Sequence, residues 1–190
     1  MDLIKISIED ALPVLNQSGL ILYPTDTIWG IGCDATNSEA IKKAYALKNR
    51  EEKKSLIIFV DSIAMLEKYV DNPSPELLSF IATAQKPTTA IFTNAINLPS
   101  VLINEDGSIA VRIPKDDFCL RLIQEFKKPL VSTSANISGE PSPQNFNEVS
   151  DKIKSGVDYI VQHRQDDVSK KLPSAIIKLN DKQEVEFIRR

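Results

Sequence analysis

The sequence predicts an α/β or α+β fold, in which an open, twisted, mixed β-sheet is flanked by helices. Helical and strand patterns alternate along all 190 residues, which favours a layered architecture of sheet and helices. The strand candidates are short, uninterrupted apolar runs, and such runs are typical of strands covered on both faces. No linker is long or polar enough to divide the chain, so residues 1–190 are predicted to form a single domain.

The helices are predicted from apolar periodicity and from capping residues. Ser38 is interpreted as the N-cap of a helix over 38–48, because the apolar residues of this segment recur on roughly one face. Gly19 follows a weaker helical pattern at 8–18 and ends it. The other predicted helices are 62–69, 75–84, 116–126 and about 144–154.

The strands are predicted from the apolar runs between these helices. Pro24 ends the first run, and Pro129 precedes a later one, which fits the preference of proline for strand boundaries. In chain order the predicted strands are 20–23, 56–60, 88–93, 109–113, 130–133 and segments near 158–162, 174–179 and 184–188.

Composition excludes several classes of function. A net charge of −3 and a pI near 5.3 argue against a protein that is held on nucleic acid by bulk positive charge. Two cysteines without C-x-x-C spacing exclude a disulfide scaffold, and the single His163 excludes a two-histidine metal site. No apolar run approaches the ~18 residues that span a bilayer, and the N-terminus lacks a signal-peptide pattern. A cytoplasmic protein without a membrane role is therefore predicted.

Three polar stretches are the candidate functional segments. Residues 23–32 combine hydroxyls, a carboxylate, aromatic rings and glycines that allow close backbone approach. Lys48 and Arg50, near a helix end, suit a polyphosphate, although cations there also complement the helix dipole. Residues 130–139 offer four hydroxyls and an amide to anionic oxygens. Each stretch alone is equally compatible with a solvated polar turn.

In this order, the three stretches resemble the TsaC/YrdC family of threonylcarbamoyl-adenylate synthases. Residues 23–32 are similar to the family motif Y-P-T-[DE]-T-x-[YW]-G-[LI]-G, and Lys48-Asn49-Arg50 is similar to its K-x-R. Residues 134–142 resemble S-A-N-x-S-G-x-x-S, and 109–114 resemble its V-R-x-P strand. The resemblance covers about residues 8–190 and implies the short, single-domain form with a YrdC-like fold.

The resemblance implies a nucleotidyltransferase that joins L-threonine, bicarbonate or CO2, and ATP into threonylcarbamoyl-AMP, with release of pyrophosphate. The product serves modification of adenosine 37 in tRNA, and a separate transferase complex performs the transfer. At most a weak tRNA contact is therefore expected of this chain. A carboxylate nucleophile is already deprotonated at neutral pH, so no histidine base is needed. Mg2+ is expected to arrive with ATP, held by phosphates and water rather than by a protein site.

The resemblance also assigns roles to single residues. Lys48 and Arg50 are implied as catalytic residues that neutralise the triphosphate and the departing pyrophosphate. The implied ATP-binding set is Lys48, Arg50, Thr89, Ser134, Asn136, Ser142 and Arg189. The implied threonine-binding set is Thr27, Ser132 and Ser174.

The sequence departs from the family pattern mainly on the amino-acid side. Lys54 stands where asparagine is usual, Phe59 where a threonine-contacting histidine is usual, and Ser174-Ala175 where S-T is usual. Threonine is the expected substrate, with a related amino acid as an alternative. Two further alternatives stay open. One is a nucleotide- or RNA-binding branch of the same fold, and the other is a carbamoyl-transfer module like those in hydrogenase-maturation proteins.

Overall fold

The computed structural model describes residues 2–50 and 56–190, and these ranges contribute nine strands to one sheet. The strands are β1 (Ile21–Tyr23), β2 (Gly30–Asp34), β3 (Ile57–Phe59), β4 (Thr88–Phe92), β5 (Ile109–Arg112), β6 (Leu130–Ser134), β7 (Tyr159–Ile160), β8 (Ala175–Leu179) and β9 (Val185–Arg189). They lie side by side in the order β7-β1-β2-β6-β3-β5-β4-β8-β9.

The sheet is mixed, as the sequence predicted. β6 lies antiparallel between β2 and β3, β3 is parallel to β5, and β5 is antiparallel to β4. At the flanks, β1 is antiparallel to β2 and parallel to β7, while β8 is parallel to β4 and antiparallel to β9. Helices flank this sheet, so the predicted architecture is confirmed.

The helices are α1 (Leu3–Asn16), α2 (Ser38–Leu47), α3 (Ile63–Leu66), α4 (Pro75–Thr83), α5 (Asp117–Phe126) and α6 (Asp151–Ser155). Short 3-10 turns occur at Ser100–Leu102 and Phe146–Glu148. Helix α5 illustrates how they form, because the Asp116 carboxylate accepts the Cys119 N–H at 2.9 Å and caps its first turn. The side chains that α5 buries are Phe118, Cys119, Leu122, Ile123 and Phe126.

Four helix predictions were wrong in detail. Of the predicted 62–69 helix, only Ile63–Leu66 is helical. The N-cap of α2 is Asn37 rather than Ser38, because the Asn37 carboxamide oxygen accepts the N–H groups of Glu39 and Ala40. Helix α1 begins five residues before the predicted 8–18, where the Asp2 carboxylate caps it. The predicted 144–154 helix is mostly absent. Its first half is a turn in which the Glu148 carboxylate accepts from Gln144 and Asn145, and the shorter α6 follows.

Strand β2 was missed, since its residues lie partly in a stretch that was interpreted as a polar loop. Gly30 and Gly32 have no side chains that could signal a strand, and tertiary pairing decides the conformation instead. β2 is bonded on both sides, to β1 and to β6, and all five of its residues are buried. The glycines are needed here, because a Cβ atom on Gly32 would lie 2.7 Å from Cε1 of Tyr23.

Candidate active site

A cavity of about 280 Å3 opens over the central strands of the sheet. Successive side chains of a strand point to opposite faces, so alternate residues of neighbouring strands build one wall. The residue pairs that β3, β5 and β6 contribute to this wall are Ile57 and Phe59, Ala110 and Arg112, and Ser132 and Ser134. Strand pairing therefore brings together residues that are as much as 104 positions apart in sequence, such as the register partners Gly30 and Ser134.

The loop between β1 and β2 carries a threonine hydroxyl to this cavity. The Thr25 hydroxyl donates to the Ile28 carbonyl at 2.8 Å and accepts the Thr27 N–H at 3.0 Å. The hydroxyl hydrogen of Thr25 is already donated to Ile28. In the 3.0 Å hydrogen bond between the Thr25 and Thr27 hydroxyls, Thr27 is therefore the donor. Thr27 Oγ1 also accepts from Arg112 Nη1 at 3.1 Å. Thr27 therefore offers an accepting lone pair, and not a hydrogen, to any ligand.

Arg112 is the buried cation of the site, and it was not among the site residues predicted from the sequence. Its guanidinium pairs with the carboxylate of Asp26 and lies 5.1 Å from the ring centroid of Phe59. The second Asp26 oxygen accepts the Lys115 N–H at 2.9 Å. Arg112 is 3% exposed, and its Nε atom has no hydrogen-bond partner among the described residues. The sequence signal that could have identified Arg112 is its position in the 109–114 motif. In the sheet it is the register partner of Phe59, between β5 and β3.

Two more arginines, Arg50 and Arg189, line the same cavity. Arg189 donates from Nε and Nη2 to the Ser174 carbonyl, at 3.0 and 2.8 Å. Burial lowers the pKa of Arg50, and burial followed by the charge of Arg112 lowers the pKa of Arg189. Three guanidinium groups around one cavity repel one another, so an anionic ligand is the chemistry that this site favours.

Serine hydroxyls face these cations from two directions. Ser132, Ser134 and Ser142 line the cavity from β6 and the following loop, and Ser174 lines it from the start of β8. Thr89 lies beneath Ser174, with its hydroxyl 2.8 Å from Ser174 Oγ, and it is fully buried. The sites predicted for ATP and for threonine thus share one cavity.

The remaining two predicted residues, Lys48 and Asn136, also lie beside this cavity rather than in its lining. Lys48 is 1% exposed, and its ammonium donates to the carbonyls of Ser134 at 2.5 Å and Asn136 at 2.6 Å. Burial, followed by the charge of Arg50, lowers the pKa of Lys48 to about 8. Seven of the ten predicted residues therefore line the cavity, namely Thr27, Arg50, Ser132, Ser134, Ser142, Ser174 and Arg189.

Two of the three departures from the family pattern, Phe59 and Lys54, differ in what the structure shows of them. Phe59 is 2% exposed and forms apolar wall beneath the Arg112 guanidinium, where a histidine would have offered a polar nitrogen. Lys54 lies outside the described residues.

In the described ranges, no group of three or more His, Cys, Asp or Glu side chains converges on a possible metal position. None of the helices in those ranges has both the length and the apolarity required to cross a membrane.

Fold and site together define a mixed-sheet α/β protein with an arginine- and serine-lined cavity for an anionic ligand. The chain belongs to the Sua5/YciO/YrdC family, whose profile, described as "Telomere recombination", matches residues 13–190. This match confirms the family resemblance found in the sequence.

Individual relatives agree with this assignment. A protein of Pseudoalteromonas translucida named threonylcarbamoyl-AMP synthase is 35% identical over 158 residues, which are 82% of this chain and 84% of that protein. The crystal structure of P. abyssi Sua5 complexed with L-threonine matches with a TM-score of 0.81 and 26% identity. That match covers 90% of this chain, which spans about half (50%) of the P. abyssi chain.

A third similarity is limited to the fold. Full-length HypF in its phosphate- and nucleotide-bound form matches with a TM-score of 0.83 and 21% identity, over 97% of this chain and 29% of that chain.

Proposed function

We propose that this chain is an L-threonylcarbamoyladenylate synthase, a nucleotidyltransferase that forms threonylcarbamoyl-AMP and pyrophosphate from L-threonine, bicarbonate or CO2, and ATP. The observation that carries the proposal is that three arginines, four serines and an apolar wall line one and the same cavity. Such a cavity suits a ligand with several negative charges next to a small, partly apolar amino acid. The names of the P. translucida and P. abyssi relatives supply the reaction.

On the ATP side, Arg50 and Arg189 are the groups that neutralise phosphate charge. Both line the cavity, and Ser134 and Ser142 beside them offer hydroxyl donors to phosphate or ribose oxygens. Arginine binds phosphate through two parallel N–H groups, which fixes orientation as well as charge. Asn136 supports this side, because its carboxamide binds two carbonyls of the loop that follows β6. The buried Thr89 hydroxyl is bonded to Ser174, so we place Thr89 in support of the amino-acid side instead.

On the amino-acid side, we assign the threonine carboxylate to Arg112. The unpartnered Nε–H of Arg112 is a buried donor at the cavity wall, and a carboxylate oxygen satisfies it. Thr27 offers only an accepting lone pair, which suits the N–H of the amino or carbamate group. Ser132 and Ser174 supply the remaining hydroxyls, and Phe59 faces the apolar part of the side chain.

The reaction requires positioning and charge stabilisation rather than a protein base. The neutral threonine amine adds to CO2 and loses a proton to solvent, or combines with bicarbonate with loss of water, to give a carbamate. A carbamate oxygen then bonds to the α-phosphorus of ATP. The bond from the α-phosphorus to the bridging oxygen breaks, and pyrophosphate leaves with that electron pair. The cavity brings like-charged reactants together, and its guanidinium groups stabilise the charge on the departing oxygens. The buried setting also shields the carbamate from water.

Mg2+ is proposed to enter with ATP. The donors at the cavity are guanidinium and hydroxyl groups, and the nearby Asp26 carboxylate is already occupied by Arg112 and Lys115. These residues fit a metal ion held mainly by phosphates and water. When bound, Mg2+ supplies charge neutralisation to the triphosphate.

The proposal extends to location and partners. The product is a labile mixed anhydride, so a separate tRNA-modifying transferase complex in the cytoplasm is expected to consume it for adenosine 37. The net charge of −3 leaves at most weak tRNA binding to this chain.

The test is pyrophosphate release from ATP and Mg2+, with threonine and bicarbonate omitted in turn and the adenylate identified by mass spectrometry. Release that needs both, with threonylcarbamoyl-AMP as product, is the expected result. Release that requires another amino acid in place of threonine would change the proposed substrate. This alternative is the first to examine, because Phe59 makes part of the cavity wall apolar. ATP binding without release favours the nucleotide- or RNA-binding alternative, and carbamoyl transfer from another donor favours the HypF-like one.

A further inference from the structure

The ammonium group of Lys48 is enclosed by main chain. Lys48 is the residue directly after α2, it is 1% exposed, and its Nζ lies 2.5 Å from the Ser134 carbonyl and 2.6 Å from the Asn136 carbonyl. The main chain adds a third link, since the Ser138 N–H donates to the Lys48 carbonyl at 2.8 Å. Lys48 is thereby bonded to three alternate residues, Ser134, Asn136 and Ser138, of one short segment.

That segment is the turn 134–140, which follows β6 and presents Ser134 to the cavity. Four of its carbonyl oxygens are bound by just two side chains. Lys48 takes those of Ser134 and Asn136, and the Asn136 carboxamide nitrogen takes those of Ile137 and Glu140, at 2.9 and 2.7 Å. Hydrogen bonds from a charged donor are roughly twice as strong as neutral ones, and a buried setting strengthens them further.

We infer that Lys48 is a positioning residue, whose buried ammonium serves as an internal cation that fixes the turn 134–140 and so orients Ser134 toward the ligand. Two of the three ammonium hydrogens are committed to these carbonyls, and Lys48 is 1% exposed and is not among the residues that line the cavity, so the ammonium does not face the ligand. The neighbouring Arg50 lines the cavity and is the phosphate-facing cation of the Lys48-Asn49-Arg50 segment. The consequence for turnover rests on the proposed function, whereas the consequence for the turn does not.

The first test uses the nucleotide-free protein. Lys48→Met keeps the length of the side chain and removes the ammonium, and we expect amide hydrogen exchange across 134–140 to rise about tenfold or more. Lys42→Met, at an exposed lysine of the same helix, is the matched control and is expected to leave this exchange unchanged. Unchanged exchange in folded Lys48→Met overturns the inference. If Lys48→Met does not fold, Lys48→Gln, which keeps N–H donors without the charge, replaces it.

The second test asks whether the ammonium acts on turnover through the turn. Lys48→Ala retains Cβ, so propylammonium supplies the missing atoms, and we expect it to raise kcat about tenfold or more. Tetramethylammonium carries the same charge without N–H donors and is expected to give no rescue. Arg50→Ala, assayed alongside, is expected not to respond to propylammonium. Failure of propylammonium to rescue, or equal rescue by both cations, overturns the role in turnover.

Lys48→Arg separates positioning from phosphate contact. Arginine keeps the charge and binds phosphate well, but its planar fork does not fit the site of a compact ammonium between two carbonyls. We expect Lys48→Arg to lose kcat nearly as strongly as Lys48→Ala, and a wild-type kcat with unchanged KM for ATP contradicts the inference. If the wild-type protein releases no pyrophosphate, the proposed function fails, while hydrogen exchange still decides the role of Lys48 in the turn.

Discussion

At the scale of single residues, the site is defined by how each cation is already engaged. Lys48 is bonded to main-chain carbonyls, Arg189 to the Ser174 carbonyl, and Arg112 to Asp26 and Thr27. These contacts fix the orientation of each charge before any ligand arrives, which reduces the reorganisation that binding requires. Because the contacts differ, substitutions of the cations are expected to have different consequences.

Arg50→Ala is expected to reduce turnover about 100-fold or more, because it removes the cavity-lining cation that we propose neutralises the leaving pyrophosphate. The melting temperature is expected to change little, since burial disfavours the charged Arg50 guanidinium and its removal relieves that cost. Pyrophosphate release and thermal unfolding measure the two effects. Turnover close to that of the wild type would remove Arg50 from the mechanism.

Arg112→Lys is expected to raise the KM for threonine about 10- to 100-fold, because lysine keeps the charge near Asp26 but lacks the Nε–H of the guanidinium. Binding of ATP is expected to stay within a few-fold of the wild type, and titration of each substrate at saturation of the other separates the two. Alanine is the wrong replacement here, since it would leave the buried Asp26 unpaired and destabilise the fold. Equal losses for both substrates would contradict this assignment.

At the scale of elements, the site depends on β2, the strand that joins β1 to the catalytic side of the sheet. Its two glycines let the ring of Tyr23 and the edge of β6 approach the backbone. Gly30 has the Thr133 carbonyl oxygen 3.2 Å and Ser132 Oγ 3.3 Å from an added Cβ, whereas Gly32 has Cε1 of the Tyr23 ring at 2.7 Å. A shift of a few tenths of an ångström relieves the contacts at Gly30, but the contact at Gly32 is much shorter and the Tyr23 ring is buried in the core.

Gly32→Ala is therefore expected to destabilise the protein by about 1–3 kcal/mol through overpacking. Gly30→Ala is the matched comparison and is expected to cost less. Denaturant unfolding of both variants measures the difference in free energy, and an equal cost at the two positions would refute the assigned role of Tyr23.

At the scale of the whole molecule, the buried charge of Lys48 links folding stability to pH. The pKa of Lys48 is lowered to about 8 in the folded protein, chiefly by burial, whereas an exposed lysine has a pKa of about 10.4. Between these values the unfolded chain binds more protons than the folded one, so stability rises with pH. Below pH 8 both states are protonated, and this residue adds no slope.

We expect the unfolding free energy of the wild type, relative to Lys48→Met, to increase by up to about 1.4 kcal/mol per pH unit between pH 8 and 10. The relative value is expected to be flat between pH 6.5 and 7.5. Urea unfolding of both proteins at matched pH provides the measurement. A flat difference across the alkaline range would show that the pKa of Lys48 is not lowered.

Local signals along the chain were enough to predict the fold class, the family and most of the predicted residues that line the cavity. Apolar runs marked eight of the nine strands, and three motifs marked the loops that line the cavity. The tertiary structure alone decided that β2 is a strand, because its glycines become extended only through bonds to β1 and β6. It also decided that Arg112 carries an unpartnered donor at the cavity wall while Lys48 is bonded away from it. The sequence shows which cations are present. The direction in which each side chain points, and the groups it binds, depend on residues that the fold brings near it from distant positions in the chain.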